Sequence, residues 1–339
     1  MGDPSAAKSS PSTQAAAAAY GGAGWSPRTS TLREEIGVIW GACGVSAEVT
    51  PLEAVLLHRP GIELAQIADP DEVQMLASLD VDRAKRQHDD LAQAYRDAGV
   101  TVHYVDPPER TPPCGTPNRM FANLMFVADL MFMTPEGVIL ARPASTVRAG
   151  EERFVARRLT ELRIPILCSV RGRGVFEGAD AAWVDPYTVL LATGLRTNAE
   201  GAAQVTALLT QMDVEVVLVG LPYGAMHLMG QLRFADRDLA IGWPGRVPYA
   251  AVEALRARGY TVHFPPFDDA DAAAEAMRGM ALNFVTLGPR EILMPAGNPI
   301  TQRFYEKQGI TCHTVWLDEL TKAAGGIGCL TGVLARARA

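Results

Sequence analysis

Short apolar runs and amphipathic stretches alternate along this chain in a recurring pattern. Each unit opens with two apolar segments separated by a turn around Pro, Asp, Gly or Arg, and continues with a helix-like stretch and a closing apolar run. In one such stretch Phe154, Val155, Leu159 and Leu162 recur near the helical period, with Arg and Glu between them. The pattern predicts a module of strand, strand, helix and strand.

The module recurs at a spacing of roughly fifty residues, which is typical of arrays and propeller-like assemblies. Four opening segments resemble one another: LMFMTPEGVILARP, AAWVDPYTVLLATG, LRFADRDLAIGWPG and NFVTLGPREILMPAG. An earlier unit, beginning at EAVLLHRPG, fits with a longer insertion. We therefore predict an α/β fold in which five modules close into a propeller-like ring, with short sheets around an axis and helices outside. An open doubly wound sheet is the alternative, but HRPGIEL is not the glycine-rich phosphate loop that such a sheet favours.

The start of the chain is rich in Ala, Ser, Gly and Pro, and it cannot bury much apolar surface. We predict a disordered tail over residues 1–30 and a single α/β-propeller domain over residues 31–339. The tail lacks a basic segment followed by a leucine-rich one, so no secretory signal is predicted and a cytoplasmic location is expected.

Composition narrows the classes of function. The 339 residues are 48% hydrophobic and 20% charged, the profile of a globular protein with a sizeable core. The net charge of −7 comes without a face dense in Lys and Arg, which argues against nucleic-acid binding. No run of roughly 18 apolar residues predicts a membrane span. We expect a small-molecule partner and no cofactor, and leave open whether subunits associate.

The cysteines are odd in number and scattered, without a CxxC pair, so neither a zinc site nor a dithiol redox site is predicted. Such cysteines are usually reduced, buried and inert. One of them lies in AAGGIGCLTG, where glycines allow a substrate to approach closely. The five are Cys43, Cys114, Cys168, Cys312 and Cys329.

The opening strands of successive modules carry polar residues at comparable places. These are Asp129 in FVAD, Glu177 and Asp180 in FEGAD, His227 in MHLMG and Cys329 in GGIGC. Modules related by rotation bring equivalent positions together near the axis. We therefore expect these five side chains to be neighbours.

A thiol, an imidazole and several carboxylates suit attack on a guanidinium carbon. The thiolate of Cys329 is the nucleophile, and nearby positive charge lowers the pKa of such a thiol. His227 can protonate the departing amine and then activate water. An adjacent acid orients the histidine, and further carboxylates pair with guanidinium N–H groups. Asp129 lies in an apolar strand, where a carboxylate must be paired or bind a cation.

Each residue also has a purely structural interpretation. Cys329 could be a buried strand cysteine and His227 a satisfied core histidine. Glu177 and Asp180 could form a plain turn. The other five histidines have weaker cases, and they are His58, His88, His103, His263 and His313. The last three lie in closing strands, and His88 lies on a helix face that is expected to be solvated.

Two arginines are candidates for holding a substrate carboxylate, because the guanidinium group offers a bidentate fork. They are Arg148 and Arg196, the latter in GLRTNAEG. Either could equally be a surface charge.

The motifs ANLMFVAD, FEGAD, GLRTNAEG, MHLMG and GGIGCLTG, in this order, resemble those of the guanidino-group-modifying enzymes of the pentein fold. That superfamily holds arginine deiminases, dimethylarginine dimethylaminohydrolases, arginine dihydrolases and amidinotransferases. The resemblance covers roughly Thr50 to Arg336 and implies a five-bladed α/β propeller with its site on the axis.

The resemblance also implies roles for individual residues. Cys329 matches the nucleophile, His227 the general acid and base, and Glu177 the acid that orients the histidine. Asp129 matches the aspartate that binds guanidinium, and Asp180 is assigned to substrate binding with it. The two arginines match those that hold the amino-acid carboxylate in dimethylarginine hydrolases.

Two departures bear on the reaction. Met229 stands where deiminases and amidinotransferases carry Asp, and Ala128 replaces the Arg of the deiminase FTRD motif. FEGAD favours a hydrolase over an amidinotransferase. The sequence therefore predicts hydrolysis of the guanidinium group of arginine or a substituted arginine through an S-alkylthiouronium adduct on Cys329. Amidino transfer to an amine is the alternative, and a binding protein without catalytic activity on the same scaffold is a third interpretation.

Overall fold

The computed structural model describes residues 16–65, 67–105 and 121–339. The first half of the predicted tail, Cys114 and the insertion near residues 110–118 lie outside them. Within the rest of the predicted tail, Arg28 forms an ion pair with the buried carboxylate of Glu35. Disorder over residues 1–30 stays a prediction.

Fifteen strands in the described ranges form five separate sheets of three strands each. In every sheet the inner strand runs antiparallel to the middle strand, and the outer strand runs parallel to it. From inner to outer, the first sheet consists of β15 (Gly332–Arg336), β1 (Leu52–Leu57) and β2 (Thr101–Tyr104), and the second of β3 (Met131–Thr134), β4 (Gly137–Leu140) and β5 (Ile166–Ser169). The third consists of β6 (Ala181–Asp185), β7 (Thr188–Thr193) and β8 (Glu215–Gly220), the fourth of β9 (Leu232–Asp236), β10 (Leu239–Gly242) and β11 (Thr261–His263), and the fifth of β12 (Val285–Gly288), β13 (Glu291–Pro295) and β14 (Thr311–Val315).

A helix connects the middle and outer strands of each sheet, as a parallel pair requires a crossover. These five connecting helices are α2 (Val81–Asp97), α3 (Glu152–Glu161), α4 (Ala199–Thr210), α5 (Tyr249–Ala257) and α7 (Pro299–Lys307). The other helices are α1 (Leu32–Glu35), α6 (Ala270–Arg278) and α8 (Ile327–Leu330). The predicted module of strand, strand, helix and strand is confirmed. The last strand, β15, pairs with β1 and closes the ring.

Neighbouring sheets are joined by buried side chains near the axis. The indole of Trp183 is fully buried, lies 5.8 Å from the ring of Phe132 between centroids, and donates a hydrogen bond of 2.9 Å to the carbonyl of Met133. It thus ties the third sheet to the second. Truncation of such a buried aromatic side chain to alanine costs about 3–5 kcal/mol of stability.

The prediction that His88 is solvated is wrong. His88 is fully buried on the inner face of α2, together with Ala84, Leu91 and Tyr95 at helical spacing. Burial lowers the pKa of His88 to about 3, so it packs as a neutral side chain. Among the described residues, no helix has the length and apolarity needed to cross a membrane.

Candidate active site

The candidate catalytic side chains lie on, or immediately before, short helical turns that precede the inner strands. Asp129 is in a 3₁₀ turn over Val127–Leu130 before β3, and Cys329 is in α8 before β15. Glu177 and His227 precede similar turns before β6 and β9. The prediction that these residues lie on the strands themselves is wrong by one turn. Each turn ends at the axis, which brings the side chains together.

His227 is held by acids from two other modules. Its Nε2 lies 2.7 Å from Oε2 of Glu177, and its Nδ1 lies 3.8 Å from Oδ1 of Asp129. All three side chains are buried. Glu177 in turn accepts a hydrogen bond of 3.1 Å from the backbone N–H of Ala144. The carboxylate therefore fixes the orientation of the imidazole ring.

Arg148 is buried among three acids. Its Nη1 lies 2.6 Å from Asp129 and 3.6 Å from Glu177, and its Nε lies 2.8 Å from Glu151. Arg196 makes one longer contact, 3.4 Å from its Nη1 to Glu177. The structure thus places both predicted arginines beside the acids. The sequence analysis did not predict a role for Glu151, because its ion pair with Arg148 depends on α3 beginning beside the axis.

Asp180 does not project into the cleft in the way that its predicted contact with substrate requires. It is fully buried, and its Oδ2 accepts a hydrogen bond of 2.6 Å from the hydroxyl of Thr197. Its Oδ1 accepts one of 3.1 Å from the backbone N–H of Leu228. Because Leu228 follows His227, Asp180 fixes the turn that carries the histidine. We therefore revise its predicted role from substrate contact to positioning.

Cys329 is buried and is clamped by Asn283, a residue that the sequence interpretation missed. The amide Nδ2 of Asn283 lies 3.0 Å from Sγ, and the amide Oδ1 accepts from the backbone N–H of Cys329 at 3.1 Å. Asn283 lies two residues before β12, as Asp129 lies two residues before β3. The position of Asn283 in the repeated module is the sequence feature from which its role could have been predicted.

A cleft of about 310 Å³ joins Cys329 and His227. Its other walls are largely apolar and include Trp243 and Met280. Arg246, also missed from the sequence, lies at this cleft with its guanidinium carbon 4.8 Å from the Trp243 ring centroid. Among the described residues, no acid lies within ion-pair distance of Arg246. A smaller pocket that also reaches Cys329 is lined by Asp129, Arg148 and Arg196.

The acids control the protonation of the site. Burial disfavours the imidazolium form, but Asp129, Glu177 and Asp180 outweigh it and raise the pKa of His227 to about 9. Burial, reinforced by the charge of Asp129, raises the pKa of the Cys329 thiol to about 11. At neutral pH the site thus holds a charged histidine and a neutral thiol. A cation bound beside the sulfur shifts the thiol towards the thiolate.

One group of side chains has the spacing of metal ligands. Ligand atoms of Asp129, Glu177 and His227 lie within 4.8 Å of one another. The guanidinium group of Arg148 already supplies a cation to two of them, at 2.6 and 3.6 Å. This donor set is therefore suited to organic cations as much as to a metal ion.

Known proteins resemble the chain in sequence and fold. A family model for arginine deiminase matches residues 246–336. The dimethylarginine dimethylaminohydrolase of Pseudomonas aeruginosa is 24% identical over 257 residues, which cover 76% of this chain and 90% of that protein.

Three solved structures share the fold. A citrulline complex of the P. aeruginosa enzyme superposes with a TM-score of 0.66 at 20% identity, over 84% of this chain and 99% of that one. The N-terminal domain of a cyanobacterial arginine dihydrolase, bound to substrate, gives 0.67 at 18% identity, over 84% and 98%. An amidinotransferase of saxitoxin biosynthesis from Microseira wollei gives 0.65 at 13% identity, over 88% and 98%. The chain is therefore similar in sequence to guanidino-group-modifying enzymes, and its ring of five sheets is the pentein fold.

Proposed function

We propose that this protein is a cysteine-dependent hydrolase of the guanidinium group of arginine or a substituted arginine. The observation that carries the proposal is the common cleft of Cys329 and His227, with Glu177 hydrogen-bonded to the imidazole at 2.7 Å. Similarity to the dimethylarginine and arginine hydrolases supports the same class of substrate.

The reaction begins with ionisation of the thiol, whose proton passes to solvent as the cationic substrate binds. The pKa of Cys329 is raised by burial and by Asp129, so the free enzyme holds little thiolate. A guanidinium bound beside Asp129 brings the positive charge that the thiolate needs, and substrate binding thereby activates the nucleophile. The amide of Asn283 donates to the sulfur and holds it towards the cleft.

The thiolate then attacks the guanidinium carbon and forms a C–S bond. His227 is positively charged because of its raised pKa, and it gives its proton to the departing nitrogen as the C–N bond breaks. An S-alkylthiouronium adduct remains on Cys329. The now neutral His227 takes a proton from water, which adds to the same carbon, and the C–S bond breaks to release a urea-type product and the thiolate.

The residues proposed to bind substrate differ in the contacts that they already make within the protein. Asp129 lies beside Cys329 in the smaller pocket and is the proposed partner of the guanidinium group. Among the described residues Arg196 makes one long contact, to Glu177, so we propose that it binds the substrate carboxylate. Arg148 was predicted for the same role, but it forms ion pairs with three acids. We therefore propose that Arg148 holds Asp129 and Glu177 in position.

Amidino transfer is the second candidate. The apolar walls beside Cys329, including Trp243 and Met280, favour it because they limit the access of water to the adduct. In that case the nitrogen of the carbon chain leaves, the amidino group stays on the sulfur, and an amine replaces water as the second nucleophile.

A product assay separates the candidates. The protein is incubated with arginine and with N-methylated arginines, with and without primary amines, and the Cys329→Ala variant serves as the control. Hydrolysis that removes a terminal nitrogen of the guanidinium group yields citrulline with ammonia or a methylamine. Cleavage at the nitrogen of the carbon chain yields ornithine. A new guanidine that forms only with an amine present assigns transfer. Folded protein that consumes none of these guanidines would contradict both candidates.

A further inference from the structure

A second cavity, of about 60 Å³, lies on the axis behind the catalytic turns. Its walls take a residue from the start of each of the five inner strands: Met131, Ala181, Arg233, Val285 and Val333. Four more lining residues lie within two positions of a candidate catalytic side chain: Ala128, Gly178, Met229 and Gly328. The turns that carry the active site therefore separate this axial cavity from the substrate cleft.

Two arginines with unsatisfied donors line the axial cavity. Arg336 is 5% exposed and donates from Nη1 to the carbonyl of Thr50 at 2.7 Å. Arg233 donates from Nη2 to the carbonyl of Phe284. The Nε of each is buried and has no hydrogen-bond partner among the residues that the structure describes. Buried N–H groups of this kind require an acceptor.

One acid, Glu48, also lines the cavity, but it does not neutralise both arginines. Its carboxylate accepts a hydrogen bond of 3.2 Å from the backbone N–H of Trp183. Within the described part of the chain, no ion pair of 4.0 Å or less joins Glu48 to Arg233 or Arg336. Two guanidinium groups and one carboxylate leave one net positive charge around the cavity.

We propose that the axial cavity binds one small monovalent anion, such as chloride, between Arg233 and Arg336. The net charge, the two buried donors and the location on the axis all favour such a ligand. A water molecule needs about 10–15 Å³ of such space. A cavity of about 60 Å³ thus admits a halide ion with some water and excludes an anion as large as gluconate.

Such an anion would act on Cys329 from the side of the axial cavity. Phe284, the acceptor for Arg233, follows Asn283, which holds Cys329. Burial is the main cause of the raised pKa of the Cys329 thiol, and the charge of Arg233 opposes it. An anion beside Arg233 offsets the positive charge that lowers the pKa of the thiol. Bound chloride therefore disfavours the thiolate and slows its reactions.

The test uses the full chain and needs no substrate. Thermal unfolding and the rate of Cys329 alkylation by iodoacetamide are measured as chloride replaces gluconate at constant ionic strength, which keeps screening unchanged. We expect a saturable rise of a few degrees in Tm and a fall of about twofold or more in the alkylation rate, with the same midpoint. Identical behaviour in chloride and gluconate would overturn the proposal.

Matched variants locate the effect. Arg233→Met and Arg336→Met should lose both chloride responses, whereas Arg237→Met, an exposed arginine on the same hairpin, should keep them. Undiminished responses in both cavity variants would also overturn the proposal. Should these variants fail to fold, wild-type crystals soaked in bromide give the answer by anomalous scattering. A bromide ion in contact with both arginines supports the site, and bromide found only on the surface, as an adventitious ion only, rejects it.

Discussion

The side chain of Asn283 makes two hydrogen bonds to Cys329, one to the sulfur at 3.0 Å and one to the backbone N–H at 3.1 Å. The short helix α8 is thereby fixed to the turn before β12. This contact also explains a glycine of the GGIGC motif. A Cβ on Gly328 would lie 2.8 Å from Oδ1 of Asn283, so only glycine leaves room for the clamp.

Replacing Asn283 should impair the chemical step. Asn283→Leu keeps the volume but removes the donor to the sulfur and the acceptor for the backbone. We expect kcat to fall about 100-fold, a loss of the size seen when one catalytic hydrogen-bond donor is removed, and iodoacetamide to react more slowly with Cys329. Asn283→Asp retains an acceptor but loses the donor, and it should also be impaired. Full activity in both variants would exclude the clamp from the mechanism.

We expect Arg148 to contribute more to the stability of the fold than to the binding of substrate. Arg148→Gln leaves Asp129, Glu151 and Glu177 without their common cation, and breaking a buried ion pair costs about 3–5 kcal/mol. Urea denaturation should show this loss. A variant with wild-type stability and a raised KM would instead assign Arg148 to the substrate carboxylate, the role that the resemblance implies.

Arg196 should affect the binding of the carboxylate alone. Arg196→Gln is expected to raise KM for arginine about tenfold or more, with kcat little changed, because uniform binding energy is lost. The matched control is agmatine, the decarboxylated analogue of arginine, whose KM should not respond. Arg246→Gln provides the comparison from the apolar side of the cleft. An increase in KM for arginine in Arg246→Gln alone would move the carboxylate site there.

The raised pKa of His227 predicts how stability varies with pH. The folded value of about 9 lies above the ordinary 6.5, so the stabilisation is fully present below pH 6.5 and is lost as pH rises through 9. The difference amounts to roughly 3 kcal/mol. The free energy of unfolding, relative to His227→Gln, should fall by this amount between pH 6 and pH 10. Parallel profiles for the two proteins would show that the acids do not hold a charged histidine.

The sequence predicted the fold because the module repeats. Each hairpin and connecting helix carries its own apolar pattern, so five weak local signals agreed on one ring. The same repetition identified Asp129, Glu177, His227 and Cys329, because equivalent positions converge on an axis. Contacts that depend on side-chain direction were not predictable in this way.

Three residues illustrate that limit. Asp180 looked like a second guanidinium ligand, but its oxygens accept from Thr197 and Leu228 instead. Arg246 lies in a loop after β10, where no motif marks it. His88 looked solvated because charged residues flank it, yet the helical period turns it inwards.

The covalent role of Cys329 is tested most directly by trapping the adduct. Wild-type protein is mixed with arginine or an N-methylated arginine, quenched in acid within the first turnover, digested and analysed by mass spectrometry. We expect the peptide that contains Cys329 to gain the mass of the thiouronium adduct, and Cys329→Ser to show neither adduct nor turnover. Product formation with an unmodified Cys329 peptide at every quench time, or turnover by Cys329→Ser at the wild-type rate, would contradict the account.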